Sequence, residues 1–232
     1  MSVYAISDIH GCFDIYEQVT KFIKPEDKVY CLGDCGDRGP RSWETIIAVA
    51  QNPQFVYLKG NHEDMLVDAM RCYLDETDPS DYQDALNLIL NNGGGPTFLS
   101  WIEDEQASRE WMIKLKKLPL FTTYTNKNGQ KIFMTHAGAH PDEITHHACL
   151  WNRDFNYLDK LEKNQIIVHG HTPIPYLAEL YGIKGLEPGA FWYDNNQRVN
   201  IDYGTYATGY SVLLDLDTFD EHIFESPSIL NY

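Results

Sequence analysis

"YCLGDCGDRGP" occupies residues 30–40. Its lead-in, Val29-Tyr30-Cys31-Leu32, is β-branched and apolar, which predicts a buried strand. That strand runs straight into Asp34, Asp37 and Arg38, with glycines at 33, 36 and 39. Two carboxylates and a guanidinium on one tight loop are placed for a ligand rather than for packing. The glycines let the backbone turn these side chains toward one pocket.

The same pattern recurs outward from this stretch. A β-rich run over 3–7 precedes "DIHG", and one over 55–59 precedes "GNHED". Runs over 131–135 and 166–168 precede "HAG" and "HGHTP". Helical stripes follow the first three turns: Phe13, Tyr16, Val19, Phe22 and Ile23; Trp43, Ile46, Ile47 and Ala50; Met65, Leu66, Ala69, Met70 and Tyr73. Strand–helix alternation predicts an α/β unit with parallel strands. In such sheets ligands gather at the carboxyl ends of the strands, where every polar turn named here falls. Residues 78–117 read as a polar, helical insertion or cap interrupted by "NNGGGP" at 91–96, with Trp101 and Trp111 as packing residues. Asn128-Gly129 predicts a hairpin. Runs over 198–201, 210–214 and 222–224 predict antiparallel strands for a second sheet, and "SPSILNY" predicts a loose tail. The whole chain, 1–232, reads as one domain.

Composition narrows the function. The chain has 232 residues, 43% of them hydrophobic, enough for a sizeable core. A formal net charge of −16 argues against nucleic acid and anionic membranes as partners. Bound cations could still reverse the charge locally for a phosphorylated substrate. Five scattered cysteines, without a CxxC pair, predict reduced thiols and a cytoplasmic protein. The N-terminus reaches Asp8 too soon for a signal peptide. No apolar run approaches the roughly 20 residues that a spanning helix needs.

The polar turns supply Asp8, His10, Asp34, Asn61, His136 and His171. Aspartate, histidine and an asparagine amide form a mixed N/O set suited to divalent first-row metals such as Mn, Fe or Zn. Six ligands exceed the three that one catalytic zinc uses. Two cations sharing a carboxylate fit the count better.

In order, "DIHG", "GDCGDRG", "GNHE", "HAG" and "GHTP" resemble the signature blocks of the PPP-type metallophosphoesterases, over residues 8–173. "VNIDYG" extends the similarity to residue 204. The family includes serine/threonine protein phosphatases and symmetrical diadenosine tetraphosphate hydrolases. The resemblance implies a two-sheet α/β/β/α sandwich of the calcineurin-like type with a helical insertion. It implies that Asp8 and His10 hold a first cation, that Asp34 bridges, and that Asn61, His136 and His171 complete a second. His169 would stand behind the ligands, and Glu63 would buttress the loop. His62 resembles the family's general acid, paired with Asp37, while Arg38, Arg153 and Asn61 would bind phosphate. Three departures stand out: Ser7 in a usual glycine place, Cys35-Gly36 in place of bulky apolar residues, and "IDYGTYATG" where relatives have "IDTG". Gly36 is expected to loosen the loop holding Asp37 and Arg38. Cys12 and Cys35 read as loop-filling residues, with oxidative inhibition as a minor alternative. His140, His146 and His147 read as solvated.

The implied reaction is hydrolysis of a phosphoester. Two cations about 3.5–4 Å apart ready a bridging hydroxide for in-line attack on phosphorus. "LNNGGGPTFLSW" resembles a segment of the bacterial protein phosphatases, which favours phosphoprotein substrates, with possible dual specificity. A tetraphosphate hydrolase is the runner-up. A scaffold without activity is the third reading.

Overall fold

A computed structural model of the chain describes residues 1–74, 79–103, 108–153 and 161–230. The first part alternates as expected: β1 (Val3–Ile6), α1 (Phe13–Phe22), β2 (Lys28–Cys31), α2 (Ser42–Gln51), β3 (Phe55–Tyr57) and α3 (Asn61–Leu74). The three strands pair in parallel in the order β1-β2-β3. Next come α4 (Pro79–Asn91), α5 (Gly95–Glu103) and α6 (Ser108–Lys116), where the sequence predicts a helical insertion. Residue 78, the first of that expected insertion, lies outside the described residues. Trp101 and Trp111 are buried, and Trp111 meets Trp43 of α2 edge-on at 5.5 Å.

The rest of the chain builds a second sheet and completes the first. β4 (Phe121–Thr125) and β5 (Lys131–Thr135) form the expected hairpin, with Gly129 at φ 77° in the turn. After α7 (His146–Trp151), β6 (Gln165–His169) pairs in parallel with β5. Then follow α8 (Ile174–Tyr181), β7 (Phe191–Tyr193) and β8 (Arg198–Asn200), giving the order β4-β5-β6-β8-β7. Next are α9 (Thr205–Thr208), β9 (Tyr210–Asp215), β10 (Glu221–Glu225) and α10 (Pro227–Leu230).

Two expectations need correction here. Of the three strands expected at 198–201, 210–214 and 222–224, only β8 joins the second sheet, and it runs parallel to β6. β9 and β10 return to the first sheet, giving β10-β9-β1-β2-β3. The reason is two-sided apolarity: Leu213 packs toward the helices, while Val212 and Leu214 pack toward the other sheet. A strand apolar on both faces belongs inside a sandwich, and β1 offers it a partner edge. The tail is also tied down. Ser226 Oγ donates to Asp14, and Ser228 N donates to Asp14 Oδ2 at 3.0 Å. Residues 231 and 232 lie outside the described residues.

Strand alternation divides the interior into two cores. Tyr4 and Ile6, Val29 and Cys31, Phe55 and Tyr57 face α1, α2, α3 and the helices after them. Val3, Ala5, Tyr30, Leu32 and Leu58 face Ile132, Met134, Ile166, Val168, Val199 and Ile201 of the second sheet. At roughly 1.5–3 kcal/mol per fully buried aliphatic side chain, this seam clamps the sheets together. The outer face of the second sheet carries a small cluster of Phe133, Leu161 and Ile167. The result is a two-sheet α/β sandwich. The carboxyl ends of β1, β2, β3, β5 and β6 open at one end of it.

Candidate metal centre and phosphate site

Each of those strand ends delivers a polar side chain. Asp8 and His10 follow β1, Asp34 follows β2, Asn61 opens α3 after β3, His136 follows β5, and His171 follows β6. All six are buried. Backbone turns aim them: Asp8, His10, Asp34 and His171 adopt left-handed φ values of 53°, 46°, 55° and 72°. Asp37 and Arg38 do the same, at 64° and 67°. The turning expected of Gly36 and Gly39 therefore falls on the functional residues themselves. Gly39 permits a close approach instead, since a Cβ there would collide with the His10 carbonyl. Nor does Gly36 loosen the loop. Its carbonyl accepts from His10 Nδ1 at 2.9 Å, and Ile46 packs against its Cα.

The side chains converge as two groups sharing Asp34: His10, Asp34 and His62, and Asp34, His136 and His171. In the second, His136 Nε2 is 3.1 Å from His171 Nδ1 and 3.4 Å from Asp34 Oδ2. Asn61 Oδ1 is 2.9 Å from both imidazole nitrogens. In the first, His10 Nε2 lies 3.7 Å from Asp34 Oδ2 and 3.9 Å from Asp8 Oδ1. Asp8 Oδ1 is buried without a hydrogen-bond partner. Its other oxygen accepts from Ser7 Oγ and from His171 N.

The donor set fits cations. His10 Nδ1 donates to Gly36 O, and His136 Nδ1 donates to Leu32 O, 2.9 Å in each case. These carbonyls fix the tautomers, so each Nε2 presents a lone pair toward the carboxylates. A buried cluster of acceptors facing one another is costly without a positive charge between them. Without a cation, a proton takes that place on His136. Burial by itself lowers His136, yet Asp34 and Asp8 push it up to about 10. Burial also opposes ionisation of Asp34, but His136 and His62 hold its carboxyl well below the usual range. Burial, then His136 and Arg153, brings His171 down to about 2.

Glu63 stands beneath this cluster. Its Oε2 accepts from Asp34 N and Gly60 N, both at 2.8 Å, and its Oε1 accepts from Cys35 N and Tyr57 OH. Behind the ligands, His169 Nδ1 donates to Gly170 O at 3.1 Å and Nε2 accepts from Tyr193 OH at 2.7 Å. All five cysteines are free and buried, and burial pushes Cys12 up to about 12. Cys31 and Cys35 bring their sulfurs within 3.1 Å under the loop.

Beside this cluster lie His62, Asp37 and Arg38, the residues expected to handle proton and phosphate. His62 Nδ1 donates to Asp37 Oδ2 at 2.7 Å. Burial lowers His62, but Asp34 and then Asp37 outweigh it, and the net shift is upward. Arg38 donates from Nη1 to His10 Nε2 at 2.9 Å and from Nη2 to His62 Nε2 at 2.8 Å. Arg153 is exposed, and its charge reaches His171.

Several contributors escape sequence reading. Gly93 O accepts from Arg38 N at 3.0 Å, and Thr97 Oγ1 accepts from Asp37 N at 3.2 Å. A Cβ on Gly94 would stand 2.8 Å from Asp37 Oδ2. The "NNGGGP" interruption thus backs the Asp37-Arg38 turn. Its glycine run was the available signal. Asp202 is buried nearby, and burial, then Asp8, pushes its carboxyl well above the usual range. Of the three histidines expected in solvent, His140 is buried, its Nδ1 accepting from Asp142 N. His146 and His147 are exposed.

Comparison with known proteins gives the same picture. The chain is 28% identical over 193 residues to a symmetrical bis(5'-nucleosyl)-tetraphosphatase of Nitrosococcus oceani, covering 81% of this chain and 58% of that protein. Across four such tetraphosphatases the chain spans 37–63% of their length. It is 27% identical over 224 residues to serine/threonine-protein phosphatase 2 of Escherichia coli, covering 89% of each. Its fold matches the crystal structure of a metallophosphoesterase from Sphaerobacter thermophilus with a TM-score of 0.56 at 17% identity, covering 97% of this chain and 87% of that one. A model of the calcineurin-like phosphoesterase family matches residues 1–208, and the chain belongs to that family.

Proposed function

We propose that this protein is a metal-dependent phosphoprotein phosphatase that hydrolyses phosphomonoesters. The observation that carries the reading is one juxtaposition. Two groups of acceptor side chains share Asp34, and the Arg38 guanidinium and the His62–Asp37 pair stand directly beside them. When bound, two divalent cations, manganese in vitro and iron or zinc as alternatives, supply Lewis-acid charge and an activated water. The chain's own residues do the rest. Asp8 and His10 serve the first group, Asn61, His136 and His171 the second, and Asp34 both. Arg38, with Arg153 and the Asn61 amide, binds the phosphate oxygens and offsets charge that grows there in the transition state. A phosphate taking the Arg38 hydrogen bonds releases Nε2 of His62. That nitrogen is then free to take up a proton from solvent, which the neighbouring Asp34 and Asp37 charges favour, and to pass it to the departing oxygen, with Asp37 holding the ring.

The extent of the match supports a phosphoprotein substrate. The chain covers 89% of one bacterial protein phosphatase and 86% of another, against 37–63% of the tetraphosphatases. The runner-up, a symmetrical diadenosine tetraphosphate hydrolase, draws support from those relatives' names. The net charge of −16 disfavours nucleic acid as a partner. The free cysteines suit a reducing cytoplasm. Among the described residues, no helix is long and apolar enough to cross a membrane.

Manganese-loaded protein is expected to hydrolyse p-nitrophenyl phosphate and to lose that activity in EDTA. Turnover unchanged after metal stripping would refute the metal-dependent chemistry. Phosphoserine, phosphothreonine and phosphotyrosine peptides, assayed beside diadenosine tetraphosphate, decide the substrate class. A higher kcat/KM for the dinucleotide hands the assignment to the runner-up.

A further inference from the structure

Tyr206 lies in "IDYGTYATG", the stretch that departs from the family pattern, and is used by none of the steps above. It stands on the single turn of α9, between Gly204 and Gly209, both left-handed at φ 75° and 77°. The two glycines swing the chain from β8 back into β9, and the turn carries Tyr206 over the site. Its ring centroid is 4.5 Å from Arg38 Cζ. It also meets the His10 ring edge-on, at 5.3 Å and 81°.

Arg38 is thereby held from several sides. Gly93 O fixes its backbone, His10 and His62 engage its nitrogens, and its charged end lies over the Tyr206 ring. The histidine contacts use the same N–H groups that phosphate oxygens need, so they are surrendered when substrate arrives. The aromatic contact is not. A cation–π contact places no hydrogen-bond acceptor on the guanidinium, so once the histidines let go its N–H groups can take paired oxygens. A long side chain ordered in advance also loses less rotamer freedom on binding.

We infer that Tyr206 is a positioning residue: its ring lies against the Arg38 guanidinium and keeps it aimed at the substrate phosphate. The inference rests on Arg38 being a phosphate ligand, as proposed above.

The test uses manganese-loaded full-length protein and p-nitrophenyl phosphate, with inorganic phosphate as a competing ligand. Tyr206→Phe, Tyr206→Leu, Tyr206→Ala and Arg38→Ala are compared for kcat, KM and the phosphate inhibition constant. Tyr206→Leu and Tyr206→Ala are expected to raise KM and the inhibition constant together, by about 3–20-fold, the range of a cation–π contact. Their kcat stays within about threefold, and Tyr206→Phe stays within about twofold on every parameter. In an Arg38→Ala background, Tyr206→Leu adds no further loss. Tyr206→Leu retains bulk, so a folding defect in Tyr206→Ala does not end the test. Wild-type phosphate affinity in Tyr206→Leu overturns the inference, as does a defect in Tyr206→Phe equal to that in Tyr206→Leu. If Arg38→Ala alone is impaired, only the role of Tyr206 fails. If Arg38→Ala binds phosphate normally, the premise fails with it.

Discussion

Asp34 takes on the most at the residue scale. Its Oδ1 accepts from His62 N at 3.0 Å, while its Oδ2 faces His136, His10 and His62 at 3.4, 3.7 and 3.9 Å. It achieves this from a left-handed backbone, a conformation that Asp and His tolerate better than most residues. Strain of this kind costs of order 1–3 kcal/mol per residue and persists only where the surroundings over-determine it. The surroundings here are Glu63 below and Gly60 alongside, where a Cβ would collide with Asp34 Oδ1. The identities of these residues were readable from the chain, because each follows a β-rich run. Their backbone conformations were not, since the glycines drew attention away from the ligands. His62 offers the sharpest residue-level test. His62→Asn is expected to lower kcat by about 10²–10⁴-fold, the usual share of general acid catalysis. Steady-state turnover at saturating substrate measures it, and a near-wild-type kcat removes His62 from its role.

Among the elements, the interruption between α4 and α5 shows what local pattern cannot reveal. Strand and helix periods disclosed β1, β2, β3, β5 and β6 and the helices α1, α2 and α3 that follow the first three, since alternation is written in neighbouring residues. The docking of Gly93, Gly94 and Thr97 onto Asp37 and Arg38 joins segments some 55–60 residues apart. No period encodes it. A side chain at 94 would press on both Ile89 and Asp37. Gly94→Ala is therefore expected to displace the Asp37 carboxylate from His62, lowering kcat about 10-fold or more, in keeping with the sensitivity of general acid catalysis to geometry. Ala at the nearby exposed position, Asn91→Ala, serves as the control and leaves kcat within about twofold, as surface substitutions do. Equal activity of the two variants would show that the glycine run has no part in placing Asp37.

For the molecule as a whole, the apolar seam is supplemented by one polar latch. The turn after β9 places Asp217 against the β4–β5 hairpin of the other sheet. Asp217 Oδ1 accepts from Tyr124 OH at 2.8 Å and Lys127 N at 3.1 Å, and Lys127 Nζ stands 2.7 Å from Oδ2. Burial alone raises this carboxyl, but the bonds from Lys127 and Tyr124 win, and its pKa is depressed. A depressed carboxyl stabilises the fold above its unfolded pKa and loses that contribution as pH falls through the folded value. Asp217→Asn is thus expected to lower Tm by about 2–4 °C at pH 7, with the deficit shrinking below about pH 4. Thermal melts across that range check it; a deficit constant with pH denies the latch its ionic character. The two-sheet plan followed from family motifs, whereas the destination of β9 was hidden, because apolarity on both faces says that a strand is interior and not which sheet receives it. That destination has a consequence for biosynthesis. β1 leaves the ribosome ahead of β9, and one of its edges stays unpaired until β9 emerges about 200 residues later. At roughly 5–20 residues per second the wait is on the order of 10–40 s. Throughout it, the nascent chain carries a bare strand edge that a holding chaperone could shield.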